Sequence, residues 1–594
     1  MKKNILIIFL ILMICSVSIV SSIAINADST HLNQIPTYVN TMEQTTQKGQ
    51  PTSIFGTTYM VEMRDGIHLA TDVYNRAIRS APRGTILIRL PYNKNILSPL
   101  GFIYSLLGWP TVIQDMRGCY ASEGIDTVFQ NSHTDGPDTL AWIANQSWCN
   151  GKIATFGPSA LGINQYFMAG ANPPNLSGQF IMVATPHLHR HAIYQGGQFR
   201  ESLVIGWLSG QGSTYLLDDI YENENYTIDF WGNVTLDDKW QNVNVPAVHL
   251  GGWYDIFLQG TIEGYQGYQH LSGPGAQGKS KLIIGPWTHT GYITQNQGEL
   301  IFPRNSRGLW TMRLFHDMLR QYTMGRFTAF DKWPSVIYYV MGDVESPDSP
   351  GNEWRYADDW PIPATQNPWY LHNNSMLSTE PSSGEHSITY SYDPTNPVPT
   401  VGGQNLLLPA GPYDQTSVED RDDVIIFTSP VLEQPYEATG PIIARLFVSS
   451  DCPDTDFTVK LCDVYPDGRS MLITDGILRM RNRNGVDHWE FMEPGEIYEI
   501  EIDLWSTSYI WNAGHQIRVS ISSSNYPRFL ANPNTVDGIY QNTTYTIAQN
   551  TVHFGENNPS SIILPHVSQS TQPCFHPNQF AHPLLFKIFL SKFI

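Results

Sequence analysis

The sequence has few positive charges and no long run of them. Its 34 lysine and arginine residues are outnumbered by 54 aspartate and glutamate residues, which leaves a net charge of −20, and only 15% of the chain is charged. A surface with this excess of negative charge repels the phosphates of nucleic acids and of anionic membranes. We therefore expect neither as a partner, whereas small molecules and short peptides are compatible with this charge.

Cysteine is also scarce, and its arrangement argues against a disulfide framework. Only six cysteines occur in 594 residues, and no Cys-x-x-Cys motif is present. Cys119 follows one predicted strand and Cys149 precedes the next, so the two lie at opposite edges of a parallel sheet, too far apart to form a bridge. We expect no metal cluster and no organic cofactor.

The two ends of the chain carry apolar segments that differ from the rest. Two lysines precede the uncharged stretch Ile5–Ile25, which ends in small residues. This pattern is typical of a secretory signal, although the stretch is also long enough to be an uncleaved membrane anchor. We expect an exported protein with a signal peptide or anchor over residues 1–27 and a polar linker over 28–52. The atypical tail, 567–594, is too short in its apolar part to span a bilayer and is either a disordered end or a membrane-surface segment.

Between these ends, short apolar runs alternate with helical stretches, a pattern typical of a mainly parallel α/β sheet. The runs are Thr85–Leu90, Thr111–Met116, Lys152–Phe156, Gln179–Thr185, Pro246–Trp253 and Lys281–Gly285. A helix is expected between the second and the third run, capped by Asp135 or Asp138. Residues 186–244 interrupt the alternation and are interpreted as a small cap insertion. The α/β domain is predicted to cover residues 53–350.

Helical patterns fade beyond this domain. The runs Asp456–Tyr465, Glu496–Trp505 and His515–Ser524 alternate between polar and apolar residues with a period of two, and turns rich in Gly, Pro, Asn and Asp separate them. This pattern predicts an antiparallel β domain, a sandwich or jelly roll, over residues 351–566.

The stretch Lys152–Gly162 reads KIATFGPSALG and sets a lone serine, Ser159, where a predicted strand meets a predicted helix. Gly157 allows a tight turn there, and Gly162 allows the helix to approach the strand. The nucleophile motif G-x-S-x-G is incomplete because Leu161 replaces its second glycine. Taken alone, such a serine is more often a helix cap or a packing residue.

Two further strand ends carry the groups that a nucleophilic serine needs. Asp255 follows one predicted strand and His289 follows the next, so the chain order is Ser159, Asp255, His289, as in α/β-hydrolases. An imidazole can take the serine proton, and a buried carboxylate can hold the imidazole in the required tautomer. The amide of Ala160 and the hydroxyl of Tyr92 are the candidate donors of an oxyanion hole.

Several stretches, in this order, resemble the cocaine esterase-like family of α/β-hydrolases: RLPYNK, VIQDMRGCYASEG, DGPDTLAWIANQSWCNGKIATFGPSALG, GGWYDIFLQGT and GPWTH. That family shares its hydrolase domain with X-Pro dipeptidyl-peptidases, α-amino-acid ester hydrolases and glutaryl-cephalosporin acylases. The resemblance covers roughly residues 53–566 and implies a jelly roll for the C-terminal domain. It also implies Ser159 as nucleophile, His289 as general base, Asp255 as orienting carboxylate and Tyr92 as oxyanion donor.

Two departures from the family pattern bear on the substrate. Ala160 stands where family members usually have tyrosine, so a side chain that would line the acyl pocket is missing. After Asp255 come Ile, Phe, Leu and Gln, with no acidic cluster that could bind a free α-amino group. Trp253 and Trp287 flank the predicted catalytic loops and are candidate pocket residues.

These observations predict a serine hydrolase that cleaves an ester or amide bond through an acyl-enzyme. One alternative is an X-Pro dipeptidyl-peptidase. A second, from another class, is a catalytically silent binding protein on the same fold, because fold alone does not fix function.

Two other groups are interpreted as structural. His187, His189 and His191 alternate in HLHRH and could bind zinc, but histidines in such loops are more often pocket neighbours. Asp115 and Arg117 in QDMRG are expected to form a buried pair that holds a loop.

Overall fold

A computed structural model describes residues 56–75, 81–537, 544–568 and 573–576. The predicted signal or anchor, the polar linker and most of the predicted tail lie outside these residues. Within them, no helix combines the length and the apolar character needed to cross a membrane. The five cysteines in this part of the chain are free thiols.

The first half of the described chain forms one mixed sheet. Its strands are β1 Thr57–Glu62, β2 His68–Tyr74, β3 Arg83–Leu90, β4 Thr111–Asp115, β5 Cys149–Pro158, β6 Leu176–Met182, β7 Ala247–Tyr254, β8 Lys281–Thr288, β9 Val336–Gly342 and β10 Glu353–Ala357. Their order across the sheet is β1-β2-β4-β3-β5-β6-β7-β8-β9-β10, and the neighbours from β4 to β9 run parallel. The α/β fold class is confirmed.

Helices cover both faces of this sheet, which explains why its central strands are apolar throughout. All eight residues of β7 and all eight of β8 are buried, as expected for parallel strands between two helix layers. The α-helices of the described residues are α1 Ser98–Leu107, α2 Ser132–Ala144, α3 Ala160–Gly170, α4 Glu201–Gln211, α5 Leu217–Glu222, α6 Ile228–Trp231, α7 Leu258–Gln266, α8 Thr311–Met324 and α9 Thr416–Glu419. Of these, α4 to α6 lie in the region of the predicted cap, and α9 lies in the second half of the chain.

The predicted cap of α2 is wrong. The helix begins at Ser132, after Asn131, so Asp135 and Asp138 lie inside it instead of before it. Asp138 accepts hydrogen bonds from the guanidinium of Arg64, the shortest at 2.7 Å. Charge-assisted bonds to arginine are stronger than the neutral bond of a cap, so these carboxylates serve other contacts.

The region of the predicted cap insertion, residues 186–244, is built of short elements. It contains α4, α5, α6, a single π-helical turn at His189–Ile193 and a hairpin of two-residue strands, Tyr194–Gln195 and Gln198–Phe199. Of these, α4 is the longest, and it faces the strand ends that carry the predicted catalytic residues.

The second half of the described chain is a β-rich domain. Its strands are β11 Thr365–His372, β12 Met376–Ser378, β13 Glu385–Tyr392, β14 Ile425–Thr428, β15 Tyr436–Ser450, β16 Asp456–Val464, β17 Ser470–Arg479, β18 Tyr498–Trp511, β19 Gln516–Ser522, β20 Ala548–Gly555 and β21 Ser561–His566. Nearly all of their pairings are antiparallel, the longest between β15 and β18. The finer assignment to a jelly roll stays a prediction.

Strand β9 belongs to both halves. Its residues 336–338 pair with β8 and its residues 336–340 pair with β10. Its last residues, Met341 and Gly342, pair in parallel with Tyr509 and Ile510 of β18. The domain boundary predicted at residue 350 falls between β9 and β10. The sheet of the first half thus continues past that boundary.

A short segment near the C-terminus, Pro573–His576, covers the outer edge of this sheet. The amide of Phe575 donates to the carbonyl oxygen of Trp354 in β10 at 2.7 Å. The buried Phe575 ring packs against Trp310 and Trp333, with ring centroids 5.3 and 5.9 Å away. A sheet edge covered in this way is protected from pairing with other chains.

Candidate active site

Ser159 occupies a sharp turn between β5 and α3. Its backbone angles, φ +56° and ψ −127°, lie in a region that residues with a side chain rarely adopt. The two neighbouring glycines allow this turn: a Cβ atom at Gly157 would lie 2.3 Å from Cβ of Leu161, and one at Gly162 would lie 2.7 Å from Cβ of Ala184. The turn lifts the serine hydroxyl above the carboxyl ends of the strands.

The structure brings together Ser159, His289 and Asp255, the three residues predicted to follow the strand ends. Nε2 of His289 lies 3.0 Å from Oγ of Ser159, and Nδ1 of His289 lies 2.6 Å from Oδ2 of Asp255. Asp255 is fully buried, and its second oxygen accepts the amide of Phe257 at 2.7 Å. A hydroxyl, an imidazole and a carboxylate connected in this way can perform nucleophilic catalysis at a carbonyl group.

Tyr92 stands beside this chain of hydrogen bonds, as predicted from the end of β3. Its hydroxyl lies near the side chain of Ser159 and accepts the indole N–H of Trp207 at 2.9 Å. Burial raises the pKa of Tyr92 to about 12, so the phenol keeps its proton at neutral pH. Ala160, the first residue of α3, contributes one of the helix's first amides, which have no acceptor within the helix.

Buried charges fix the loop that follows β3 and carries this tyrosine. The amide of Lys94 donates to Asp115 at 2.5 Å, and its Nζ lies 3.5 Å from an oxygen of Asp72. Arg117 binds Asp135 instead, at 2.6 Å. The predicted Asp115–Arg117 pair is therefore wrong, because the charged partner of Asp115 is Lys94, whose Nζ lies 3.9 Å away, and Arg117 pairs with Asp135.

An apolar cavity opens at Ser159. It holds about 550 Å³ of empty space, counting its open mouth, and every lining residue except Ser159 is aliphatic or aromatic. Helix α3 contributes Ala160 and Ile163, and the cap helix α4 contributes several residues, Trp207 among them. The cavity fits an uncharged group joined to a carbonyl carbon at Ser159.

Trp253 and Trp287 do not line this cavity, so their predicted pocket role is wrong. Both are buried in the core, where the indole of Trp253 donates to the carbonyl of Tyr339 at 2.7 Å and that of Trp287 to the carbonyl of Ser306 at 2.8 Å. Each tryptophan lies in a strand near a catalytic loop, but its side chain points into the helix and strand packing. Trp207 of the cap is the tryptophan at the site.

Arg200 is a site neighbour that sequence reasoning missed. It is buried between the cap and the C-terminal domain, and it donates to the backbone carbonyls of His191 and Ile256, the latter directly after Asp255. Burial lowers the pKa of Arg200 to about 9. No motif marks an arginine whose guanidinium donates to backbone carbonyls, so the sequence carries no signal for it.

The three histidines of HLHRH do not share a ligand site. Each ring binds a different acceptor: His187 binds Asp237, His189 the carbonyl of Glu224, and His191 Glu263. Among the described residues, no group of His, Cys, Asp and Glu is arranged to hold a metal ion. The structure gives no support to the zinc alternative.

The fold and this geometry define the chain as a serine hydrolase of the α/β-hydrolase type. It belongs to the family of cocaine esterase and the X-Pro dipeptidyl-peptidases. Residues 65–219 and 207–291 match the family model of the X-Pro dipeptidyl-peptidases (S15 family), and residues 328–563 match that of their C-terminal non-catalytic domain. The predicted resemblance is confirmed.

Three known proteins illustrate the similarity. Cocaine esterase from Rhodococcus sp. (strain MB1 Bresler) is 32% identical over 580 residues, which cover 85% of this chain and 97% of that protein. The structure of an aminopeptidase from a marine sediment archaeon, Thaumarchaeota archaeon, superposes with a TM-score of 0.74 at 22% sequence identity. The match covers 90% of this chain and 100% of the aminopeptidase chain. The structure of an α-amino acid ester hydrolase has the same TM-score and the same sequence identity. That match covers 89% of this chain and 100% of the hydrolase chain.

Proposed function

We propose that this protein hydrolyses ester or amide bonds of uncharged substrates through an acyl-enzyme. Oγ of Ser159 attacks the carbonyl carbon while Nε2 of His289 takes the hydroxyl proton, and Asp255 stabilises the imidazolium that forms. The hydroxyl of Tyr92 and the amide of Ala160 donate to the tetrahedral oxyanion. His289 then gives its proton to the leaving alcohol or amine, and water releases the acyl group by the same route.

The observation that carries this proposal is the continuous chain of hydrogen bonds from Ser159 through His289 to Asp255, with spacings of 3.0 and 2.6 Å. It begins at a strained turn and ends at a fully buried carboxylate. Backbone strain and a buried carboxylate both cost free energy, and such costs are typical of catalytic sites. Packing alone would require neither.

The cavity favours an ester or blocked amide over a peptide with a free amino terminus. The described residues that line it include no carboxylate that could pair with an ammonium group, and burying an unpaired ammonium costs far more than burying an apolar group. The relative with the highest sequence identity given above is named an esterase, which supports the same choice. An X-Pro dipeptidyl-peptidase remains the alternative, because the matching family models carry that name.

The proposal is tested by labelling the purified protein with a fluorophosphonate and measuring its intact mass. The wild type should gain one adduct, Ser159→Ala should gain none, and Ser177→Ala, a half-buried serine at β6, should label like the wild type. No adduct on folded wild type would contradict the hydrolase and favour the silent binding protein.

A second assay separates the two enzyme candidates. p-Nitrophenyl esters, N-acetylated Xaa-Pro anilides and free Xaa-Pro anilides are compared at equal concentration. Hydrolysis of the esters and blocked anilides supports the proposal, whereas selective cleavage of the free Xaa-Pro anilides would favour the dipeptidyl-peptidase. Export stays a prediction, and it can be checked by looking for the protein outside the cytoplasm.

A further inference from the structure

Trp207 connects the cap insertion to the oxyanion donor. It lies in α4, lines the cavity, and stacks on Phe129 with ring centroids 6.0 Å apart and an interplanar angle of 20°. Its Nε1 lies 2.9 Å from the hydroxyl oxygen of Tyr92, which follows β3 more than a hundred residues earlier. The stacking fixes the plane of the indole and therefore the direction of its N–H.

The chemistry of the two groups fixes which one donates. An indole nitrogen can only donate a hydrogen bond, whereas a phenol has one proton and can also accept. The oxygen of Tyr92 is therefore the acceptor in its bond to Trp207. Its single proton is therefore not used in the bond to Trp207 and can point toward the nearby side chain of Ser159.

We propose that Trp207 is a positioning residue that directs the hydroxyl proton of Tyr92 toward the oxyanion formed at Ser159. A phenol O–H can rotate about its C–O bond, and the indole removes the orientation in which the proton would point toward the cap. Accepting a hydrogen bond also polarises the phenol and makes it a better donor. This inference rests on the proposed function.

Trp207 could instead be only a wall of the cavity, and the two roles predict different kinetics. A wall residue affects substrate binding and hence KM. A residue that aims an oxyanion donor acts on the transition state, so its loss lowers kcat and leaves KM nearly unchanged. Trp207→Phe separates the roles, because phenylalanine keeps an aromatic ring against Phe129 and lacks the N–H.

The test is a double-mutant cycle on hydrolysis of p-nitrophenyl butyrate with wild type, Tyr92→Phe, Trp207→Phe and the double variant. Loss of one neutral hydrogen bond predicts a fall in kcat of about three- to tenfold for Trp207→Phe, with KM within about twofold. In the Tyr92→Phe background, the same change should alter kcat by less than about twofold, because the group that it positions is gone. Equal losses in both backgrounds, or a change confined to KM, would overturn the proposal.

Leu208→Val is the matched control, since Leu208 lines the same cavity from the same helix. Its effect should be the same with and without the Tyr92 hydroxyl. The melting curve of Trp207→Phe shows whether this variant folds. If it does not, benzothienylalanine at position 207 replaces the N–H by sulfur in a ring of the same shape. It should lower kcat in the wild type and not in the Tyr92→Phe background, as expected for Trp207→Phe.

Fluorophosphonate labelling distinguishes a failure of the proposed hydrolase function from a failure of the proposed role of Trp207. Labelling that depends on Ser159 together with an additive cycle would refute the role of Trp207 alone. Absence of labelling on folded wild type would refute the proposed function and this inference with it.

Discussion

The guanidinium of Arg200 lies 2.9 Å from the backbone carbonyl oxygen of Ile256, the residue directly after Asp255. The same nitrogen, Nη1, lies 2.5 Å from the carbonyl oxygen of His191 in the cap. One buried cation therefore holds together the cap and the loop that presents the carboxylate to His289. The position of that carboxylate depends on a residue that touches no reacting atom.

Replacing Arg200 by methionine should lower kcat at least tenfold while changing the melting temperature by only a few degrees. Relief of the buried charge offsets part of the lost hydrogen bonds, whereas small displacements of catalytic groups are costly in rate. Ester hydrolysis and thermal melts measure the two effects. Arg190→Met, at a half-exposed cap arginine paired with Asp237 and Glu263, is the control and should change little. Unfolding without loss of specific activity in the folded fraction would contradict this prediction.

Asp255→Asn should reduce kcat by about four orders of magnitude, as expected when an amide can no longer fix the imidazole tautomer or stabilise imidazolium. The amide oxygen can still accept the backbone N–H of Phe257, so the fold should survive. Steady-state hydrolysis and circular dichroism give the two readouts. Asp237→Asn, at the pair with His187 outside the cavity, should retain activity. A loss for Asp255→Asn below about a hundredfold would show that the carboxylate is not part of the catalytic chain.

Ala192→Phe should make the enzyme discriminate against large acyl groups. Ala192 lines the cavity, so a phenyl ring at this position would fill space that a long or branched acyl chain needs. We expect KM for p-nitrophenyl octanoate to rise more than about tenfold, with little change for the acetate. Equal effects on both esters would mean that the cavity does not hold the acyl chain.

Asp456→Asn should flatten the dependence of stability on pH. Asp456 accepts hydrogen bonds from Gln198 in the cap and from Asn532, and burial together with Asp454 raises its pKa to about 7. The unfolded value is about 3.9, so between these values the folded state binds more protons and stability falls as pH rises.

Melting temperatures measured from pH 3 to pH 8 check this prediction as a difference between wild type and variant. The wild type should lose more stability than Asp456→Asn across the window, and the curves should run parallel below about pH 4. Parallel curves across the whole range would contradict the raised pKa.

Phe575→Ala should release the segment Pro573–His576 from the edge of β10. The change removes a buried ring, at a cost of at most about 3 kcal/mol, because the segment can detach instead of leaving a cavity. The amide of Tyr356 donates to the carbonyl of Pro573 at 3.3 Å, so its hydrogen exchange should become faster. Phe327→Ala, at an exposed ring, is the control. Unchanged exchange at Tyr356 would contradict the contact.

The parts of the site that follow strand ends could be predicted from the sequence. Ser159, Asp255 and His289 each come after an apolar run, and parallel strands bring their carboxyl ends to one edge. The direction of a side chain is harder to predict from the sequence. The position of Trp253 and Trp287 beside the catalytic loops therefore predicts cavity residues, although both side chains point into the core.

Residues contributed by the cap could not be placed from the sequence. The short helices of residues 186–244 have no repeating apolar pattern that says which strand end they cover. The contact of Trp207 with Tyr92 joins elements far apart in the chain and depends on how the cap folds back. The local pattern likewise predicts Asp135 or Asp138 as the cap of a helix. Their actual partners, Arg117 and Arg64, lie on other elements, so the local pattern cannot indicate these contacts.

Strand β9 pairs with strands of both halves of the chain, and this affects how the two halves can be exchanged in evolution. The family model of the C-terminal domain begins at residue 328, ahead of β9, so the last two strands of the catalytic sheet lie within the C-terminal unit that this model matches. An exchange of that unit between relatives would replace those strands along with the β domain. The two units are therefore expected to be inherited together, since each recombination between them has to restore the pairing of β9 with β8, whereas β18 is exchanged together with β9.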